Sequence, residues 1–150
     1  MRIETAVKND LNTLCAIENE AFDENSFALT RRNFSYHINK NKLFICKIDG
    51  TAAGYILLLQ HKKSTKLRVY SIAVKKEFGS QGIGLALLQK SFTYARDIGK
   101  KGIRLEVNKA NSRAISLYEK SGFIKNGIIP RYYPDNTDAL LMEKTFNPNL

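Results

Sequence analysis

The sequence predicts an α/β fold with a mixed, mostly antiparallel sheet that is flanked by helices. The strand-like runs Leu67–Val74 and Ile103–Val107 enclose one helix-like run, the pattern of a parallel pair joined by a right-handed crossover. Earlier in the chain, Asp49-Gly50 separates two strand-like runs and is a strong signal for a two-residue hairpin. Together, these observations place one parallel pair inside a sheet of antiparallel neighbours.

The first half of the chain alternates short strands and helices. Ile3–Val7 is predicted as a strand, and Asn9 and Asp10 offer a cap to a helix whose apolar residues share one face. A second helix is predicted from about Leu29 to Ile38. The predicted hairpin strands are Leu43–Ile48 and Ala52–Leu59.

The second half begins with the strand Leu67–Val74. An amphipathic helix follows over Leu85–Ile98, with Gly99 as its stop. The later predicted elements are a strand at Ile103–Val107, a helix at Ser112–Lys120, and a final pair of strands at Phe123–Ile129 and Ala139–Thr145.

The length of 150 residues predicts one domain over residues 1–150, with a single core. The net charge of +10 favours polyanionic partners, but the basic residues are scattered and form no nucleic-acid-binding motif. No apolar stretch reaches the roughly twenty residues of a membrane span, and the start lacks a leader pattern, so we expect a cytoplasmic protein without membrane contact. Cys15 and Cys46 have no metal or redox spacing, so no metal is expected.

A glycine-containing run, Phe78-Gly79-Ser80-Gln81-Gly82-Ile83-Gly84-Leu85, lies between a predicted strand and a predicted helix. Glycines let the backbone approach a ligand, and the free N–H groups of a helical first turn bind phosphate oxygens. The run alone leaves two interpretations open, an anion cradle or a simple turn.

A second block, from Leu105 to Phe123, contains Glu106, Asn111 and Tyr118. Together, the two blocks resemble the GNAT superfamily of acetyl-CoA-dependent N-acetyltransferases, and the resemblance covers roughly the whole chain in the same order. It implies a sheet that is splayed between the strands ending near Val74 and Val107, with acetyl-CoA in the opening and no metal.

The resemblance assigns the catalytic roles to two residues. Strand alternation places Glu106 opposite Leu105 and Val107, where a carboxylate either faces a cleft or is simply exposed. The family match makes Glu106 the acceptor of the amine proton and Tyr118 the general acid for the leaving thiolate. From the residues alone, Tyr118 is equally consistent with a core aromatic residue.

The resemblance also implies the cofactor site. Asn111 either caps the helix that follows it, hydrogen-bonds the pantetheine arm, or does both. The full set of cofactor-binding residues predicted in this way is Ile72, Ala73, Val74, Ser80, Gln81, Gly82, Ile83, Gly84, Leu85 and Asn111. One departure is Gly79, which stands where the family usually carries Gln or Arg, so side-chain help to the cofactor is lost at that position.

The acceptor site is inferred from Arg131-Tyr132-Tyr133-Pro134. This segment resembles the tyrosine-rich segment of the ribosomal-protein-alanine N-acetyltransferases (the RimI branch), so Tyr132 and Tyr133 are predicted to bind a protein N-terminus, with ribosomal proteins among the candidates. That branch commonly has Pro-Trp-Ser where this chain has Phe22–Phe27, and the chain contains no Trp. The first residues of the acceptor therefore stay open.

We expect direct transfer in a ternary complex by a monomer or weak homodimer. Two alternatives stay open on the sequence. One is a GNAT enzyme that acetylates a small amine, a lysine side chain or an aminoacyl-tRNA. The other is a non-catalytic acyl-CoA-binding module.

Overall fold

The structure is a computed structural model that describes residues 1–22 and 28–147. Its helices are α1 (Leu11–Ala21), α2 (Arg31–Lys40), α3 (Ile83–Asp97) and α4 (Ser112–Lys120). Its strands are β1 (Arg2–Thr5), β2 (Lys42–Ile48), β3 (Thr51–Leu59), β4 (Lys66–Val74), β5 (Gly102–Asn108), β6 (Ile124–Ile129) and β7 (Ala139–Thr145). All but the first residue of the Phe22–Phe27 segment lies outside the described residues.

The strands form one sheet in the order β1-β2-β3-β4-β5-β7-β6. Strands β4 and β5 are parallel, and every other neighbouring pair is antiparallel. The predicted hairpin joins β2 to β3, and its turn residues Asp49 and Gly50 both have positive φ, +50° and +80°. These findings confirm the predicted mixed, mostly antiparallel sheet.

Each face of the sheet carries a separate apolar core. On one face, α3 and α4 cover a cluster that includes Leu67, Val69, Leu105 and Val107. The other face packs against α1 and α2 through the cluster Leu11, Leu14, Ile17, Phe34, Tyr55, Leu57 and Ala73. Because strand side chains alternate, the residues between the members of the first cluster point toward the α1/α2 face.

Helices α3 and α4 approach each other closely at Gly84. A Cβ atom at this position would lie 3.0 Å from Leu117 Cδ2, tighter than ordinary van der Waals contact. Gly84 therefore brings α4, which carries the predicted general acid, close to the start of α3.

Helix starts are the least accurate of the predicted boundaries. Helix α3 begins at Ile83, two residues before the prediction, because Gly82 takes the left-handed conformation (φ +75°) that precedes the first turn. Helix α2 runs over Arg31–Lys40 instead of 29–38, since Thr30 accepts a hydrogen bond from Asn33 N at 3.1 Å.

The first strand and helix also differ from the prediction. Strand β1 ends at Thr5 instead of Val7, because Val7 N donates to Asp10 Oδ2 at 2.8 Å and the chain turns there. The Asp10 side chain therefore stabilises this turn and makes no capping bond to α1. Strand β6 starts at Ile124, since Phe123 N bonds back to Tyr118 O at 3.0 Å.

No helix within residues 1–22 and 28–147 is long and apolar enough to cross a membrane.

Candidate active site

The sheet opens between its two parallel strands. Strands β4 and β5 pair only from Lys66–Val69 to Gly102–Leu105. Beyond these residues, β4 remains paired with β3, and β5 remains paired with β7. The predicted splay between the strands that end near Val74 and Val107 is thus present.

A β-bulge in β4 marks the start of the opening. Leu57 pairs with Ser71 and Leu58 pairs with Val69, so Tyr70 is an extra residue without a partner in β3. An extra residue shifts the alternation of side chains by one position. Ser71 and Ala73 consequently lie on the same face as Arg68, toward α1 and α2, whereas an unbulged strand would place them on the opposite face.

A cavity of about 910 Å³ fills the opening. Its walls are formed by β4 from Arg68 to Val74, β5 from Leu105 to Asn108, the start of α3, one side of α4, and the pair Tyr132 and Tyr133. This volume is in the upper range for sites that enclose a cofactor-sized ligand.

Glu106 points into the cavity from β5. Its Oε2 accepts a hydrogen bond from Arg68 Nε at 3.0 Å, and its Oε1 lies 3.5 Å from Arg104 Nη1. The side chain is 12% exposed. A carboxylate has about four acceptor positions, so these two contacts fix its orientation and leave it room to accept from a substrate amine or a water molecule.

Tyr118 approaches the cavity from α4 and is 5% exposed. Its ring packs edge-on against Phe123 at 5.6 Å between centroids. Burial, with a smaller contribution from Tyr133, raises the pKa of Tyr118 above its usual range. The phenol therefore keeps its proton and is able to donate it.

The two C-terminal tyrosines cover the cavity near Glu106. Tyr132 and Tyr133 pack edge-on at 5.0 Å between ring centroids. Burial raises the pKa of Tyr133 to about 12, with added effects from Tyr132 and Glu106 and an opposing effect from Arg68. The segment is held by Arg131 N, which donates to Asp138 Oδ1 at 3.0 Å.

The other end of the cavity is rich in N–H donors and cations. The first turn of α3 presents N–H groups that have no carbonyl partner within the helix. Ser80 and Gly82 precede that turn, both with positive φ, +64° and +75°. Lys75 and Lys76, which directly follow β4, and Arg113, which lies beside Gly79, are the basic lining residues at this end.

Nine of the ten predicted cofactor-binding residues line this cavity. They are Ile72, Ala73, Val74, Ser80, Gly82, Ile83, Gly84, Leu85 and Asn111. Gln81 is exposed and is not part of the wall. Asn111 caps α4, because its side-chain oxygen accepts from Ala114 N at 3.1 Å, and it also lines the cavity.

Several lining residues were missed by the sequence analysis. Arg68, which bonds Glu106, and Ser71 line the cavity from β4, and Arg113 lies beside Gly79, where a Cβ atom would be 3.9 Å from its Nη2. The alternation of Leu67, Arg68 and Val69 was a usable signal for Arg68. Ser71 had no such signal, since its orientation depends on the bulge.

Within the described parts of the chain, no three His, Cys, Asp or Glu side chains cluster as a metal site.

Comparisons with known proteins agree with this architecture. An N-alpha-acetyltransferase from Sulfurisphaera tokodaii is 32% identical over 154 aligned positions, which cover 94% of this chain and 90% of the relative. The crystal structure of the ribosomal-protein-S18-alanine N-acetyltransferase from Escherichia coli superposes with a TM-score of 0.85 at 27% identity, covering 99% of this chain and 97% of that one. Ard1 from Thermoplasma volcanium shares the fold with a TM-score of 0.87, at 22% identity and 97% coverage of both chains.

The model of the acetyltransferase (GNAT) family matches residues 11–123, which include α1 to α4, the bulged strand and all of the cavity wall except Tyr132 and Tyr133. This protein therefore belongs to the acetyltransferase (GNAT) family.

Proposed function

We propose that this acetyltransferase transfers the acetyl group of acetyl-CoA to the free α-amino group of a protein N-terminus. The observation that carries the proposal is that Glu106 and Tyr118 line one cavity where β4 and β5 separate. The relative from Sulfurisphaera tokodaii, named an N-alpha-acetyltransferase, supports this acceptor class. Ribosomal proteins are candidate acceptors, and a single domain, as a monomer or weak homodimer in the cytoplasm, performs the reaction.

The cavity fits acetyl-CoA at its basic end. The free N–H groups of α3 and the side chains of Lys75, Lys76 and Arg113 suit a pyrophosphate. Arg113 supplies a cation beside Gly79, where the usual Gln or Arg side chain is missing. The acyl arm then follows β4, whose backbone is unpaired on the side that faces the opening.

The amine reaches the thioester from the α1/α2 face of the sheet. Glu106, on that face, accepts one amine proton directly or through one water molecule. The nitrogen attacks the thioester carbonyl, whose oxygen is stabilised by backbone N–H groups of Ile72–Val74. The C–S bond then breaks, Tyr118 donates its proton to the departing thiolate, and the Tyr118 phenolate takes a proton back from solvent.

Amine chemistry favours an α-amino group over a lysine side chain. An α-amine with a pKa near 8 is about one-tenth neutral at pH 7, whereas a lysine amine is neutral in less than about one part in a thousand. A single carboxylate in a partly polar site deprotonates the α-amine more readily. The aromatic wall of Tyr132 and Tyr133 suits an extended chain terminus.

The acceptor class is tested by measuring release of the CoA thiol from acetyl-CoA. Short peptides that differ in their first residue are compared with the same peptides blocked at the N-terminus, each containing one lysine, and with small amines. We expect turnover only with free α-amines. Equal or faster turnover on blocked lysine peptides or small amines would contradict the proposal. If no amine reacts while acetyl-CoA still raises the melting temperature, the proposal fails, and an aminoacyl-tRNA acceptor and a non-catalytic binding module are the two remaining alternatives.

Tyr118→Phe removes only the phenolic hydroxyl. Because the leaving thiolate then lacks its proton donor, we expect kcat to fall by about 10²-fold or more, with acetyl-CoA affinity nearly unchanged. Steady-state kinetics and calorimetric titration with acetyl-CoA measure the two effects. The matched control is Tyr94→Phe, whose hydroxyl contacts Gln60 outside the cavity. An unchanged kcat in Tyr118→Phe would remove the role of general acid.

Glu106→Gln keeps the size of the side chain and removes its capacity to take a proton. We expect the acid limb of the kcat/KM profile to move to higher pH, since more of the amine must already be neutral to react. Glu143→Gln is the matched control, because Glu143 is a strand carboxylate paired with Lys66 at 2.8 Å and lies outside the cavity. A Glu106→Gln profile that overlays the wild type would show that Glu106 accepts no proton.

A further inference from the structure

Glu18 is a fully buried carboxylate in α1 that the mechanism above does not use. Its Oε1 accepts a hydrogen bond from the Tyr55 hydroxyl, and its Oε2 accepts one from Leu29 N. The Tyr55 hydroxyl in turn lies 2.7 Å from Ser71 Oγ. Ser71 lines the cavity, so a continuous chain of hydrogen bonds joins Glu18 to the active site.

The directions of these hydrogen bonds follow from the donor count. Burial and the nearby Glu18 charge raise the pKa of Tyr55 well above its usual range, so its hydroxyl stays neutral and has one hydrogen. That hydrogen is donated to Glu18. Ser71 must therefore donate to Tyr55, which leaves the lone pairs of Ser71 Oγ available to accept a hydrogen from the cavity.

The reaction needs more than one proton acceptor on the amine side. An ammonium group must lose two N–H protons to become a secondary amide. The thiolate regains one proton in the balance, and one proton is released in each turnover. Glu106 is able to hold one proton at a time. Tyr118, on the opposite face of the sheet, regains from solvent the proton that it gave to the thiolate, so a second acceptor on the amine side takes the other proton.

We propose that Glu18 accepts one amine proton through the hydroxyl groups of Ser71 and Tyr55. The amine N–H gives its proton to Ser71 Oγ, the Ser71 hydrogen moves to Tyr55 Oη, and the Tyr55 hydrogen moves to Glu18 Oε1. The amine becomes neutral, both hydroxyls are regenerated, and Glu18 becomes a neutral acid. The proton returns to solvent by the reverse path when the product leaves. The inference rests on the proposed function for the identity of the amine.

The surroundings of Glu18 suit a proton acceptor. Burial raises the pKa of Glu18, although the hydrogen bonds from Tyr55 and Leu29 oppose that effect. From β3, the titratable group that faces Glu18 is the Tyr55 phenol, and the α2 residue Phe34 packs edge-on against that phenol ring at 5.3 Å. The nearest carboxylate in α1, Glu20, is exposed and accepts from Lys76 N instead. No ion pair of Glu18 occurs among the described residues.

The test is the pH profile of kcat/KM for Ser71→Ala, Tyr55→Phe and Glu18→Gln. Without the relay, this proton must leave the amine before binding. We expect the acid limb to move up toward the amine's own pKa, near 8 for an α-amine, with about a tenfold loss per pH unit below it. At high pH, the loss relative to the wild type should be much smaller. A merely structural role would lower the rate equally at every pH.

Matched variants control for folding and for loss of a hydroxyl. Ser91→Ala removes a buried serine hydroxyl that bonds Leu87 O, and Tyr94→Phe removes a phenol outside the cavity. Ser71→Thr keeps a hydroxyl, so the acid limb of its kcat/KM profile should match that of the wild type. Glu18→Gln and Tyr55→Phe alter the core, so Ser71→Ala, which leaves the Tyr55–Glu18 bond in place, decides the test if either variant unfolds.

The profiles are measured with whichever amine the wild type acetylates. If that amine is a lysine side chain or a small molecule, the proposed function fails, but the relay is still tested against that amine's own pKa. If Ser71→Ala and the wild type have the same acid limb, the relay is overturned while the proposed function stands.

Discussion

The end of pairing between β4 and β5 is the constraint on which the rest of this structure depends. The flanking pairs β3–β4 and β5–β7 continue past this point, but β4 and β5 separate after Val69 and Leu105. Separation leaves backbone N–H and C=O groups of two strands without partners, which would be costly in an apolar core. A polar ligand in the opening can hydrogen-bond these backbone groups. The same unpaired groups that destabilise the empty sheet are therefore available to bind a ligand.

The bulge at Tyr70 determines which β4 side chains enter the opening from each face of the sheet. Through the shift in alternation, Ser71 joins Arg68 and Glu106 on the α1/α2 face, the face from which we propose that the amine enters. Tyr118 reaches the same cavity from α4, on the opposite face. The proposed proton acceptors and the proposed proton donor thus lie on opposite faces of the sheet, and each face has its own hydrophobic core.

The sequence predicted those elements that depend on a short, local pattern of residues. Asp49-Gly50 predicted its hairpin because both residues tolerate positive φ, and the strand–helix–strand order predicted the parallel pair. Nine of the ten predicted cofactor-binding positions line the cavity: eight follow the end of β4 and the start of α3, and Asn111 caps α4. Gln81, in the same run, points outward, since the left-handed turn at Ser80 and Gly82 redirects the chain.

Interactions between segments that are distant along the chain could not be predicted from the sequence. The Arg68–Glu106 pair joins residues 38 positions apart, and the bond from Tyr55 to Glu18 spans 37. Both depend on strand register and on which face a side chain occupies, and a one-residue bulge reverses that face. No local sequence pattern around Tyr70 predicts the bulge.

The most direct test of this account is a crystal structure with a conjugate in which an acetyl linker joins the CoA sulfur to the α-nitrogen of a peptide. The account predicts that the nitrogen lies on the α1/α2 face, about 3 Å from Ser71 Oγ and within direct or one-water reach of Glu106, with the sulfur toward Tyr118. A peptide that leaves the cavity along α3 and α4, or a nitrogen beyond one water molecule from both Ser71 and Glu106, would contradict it.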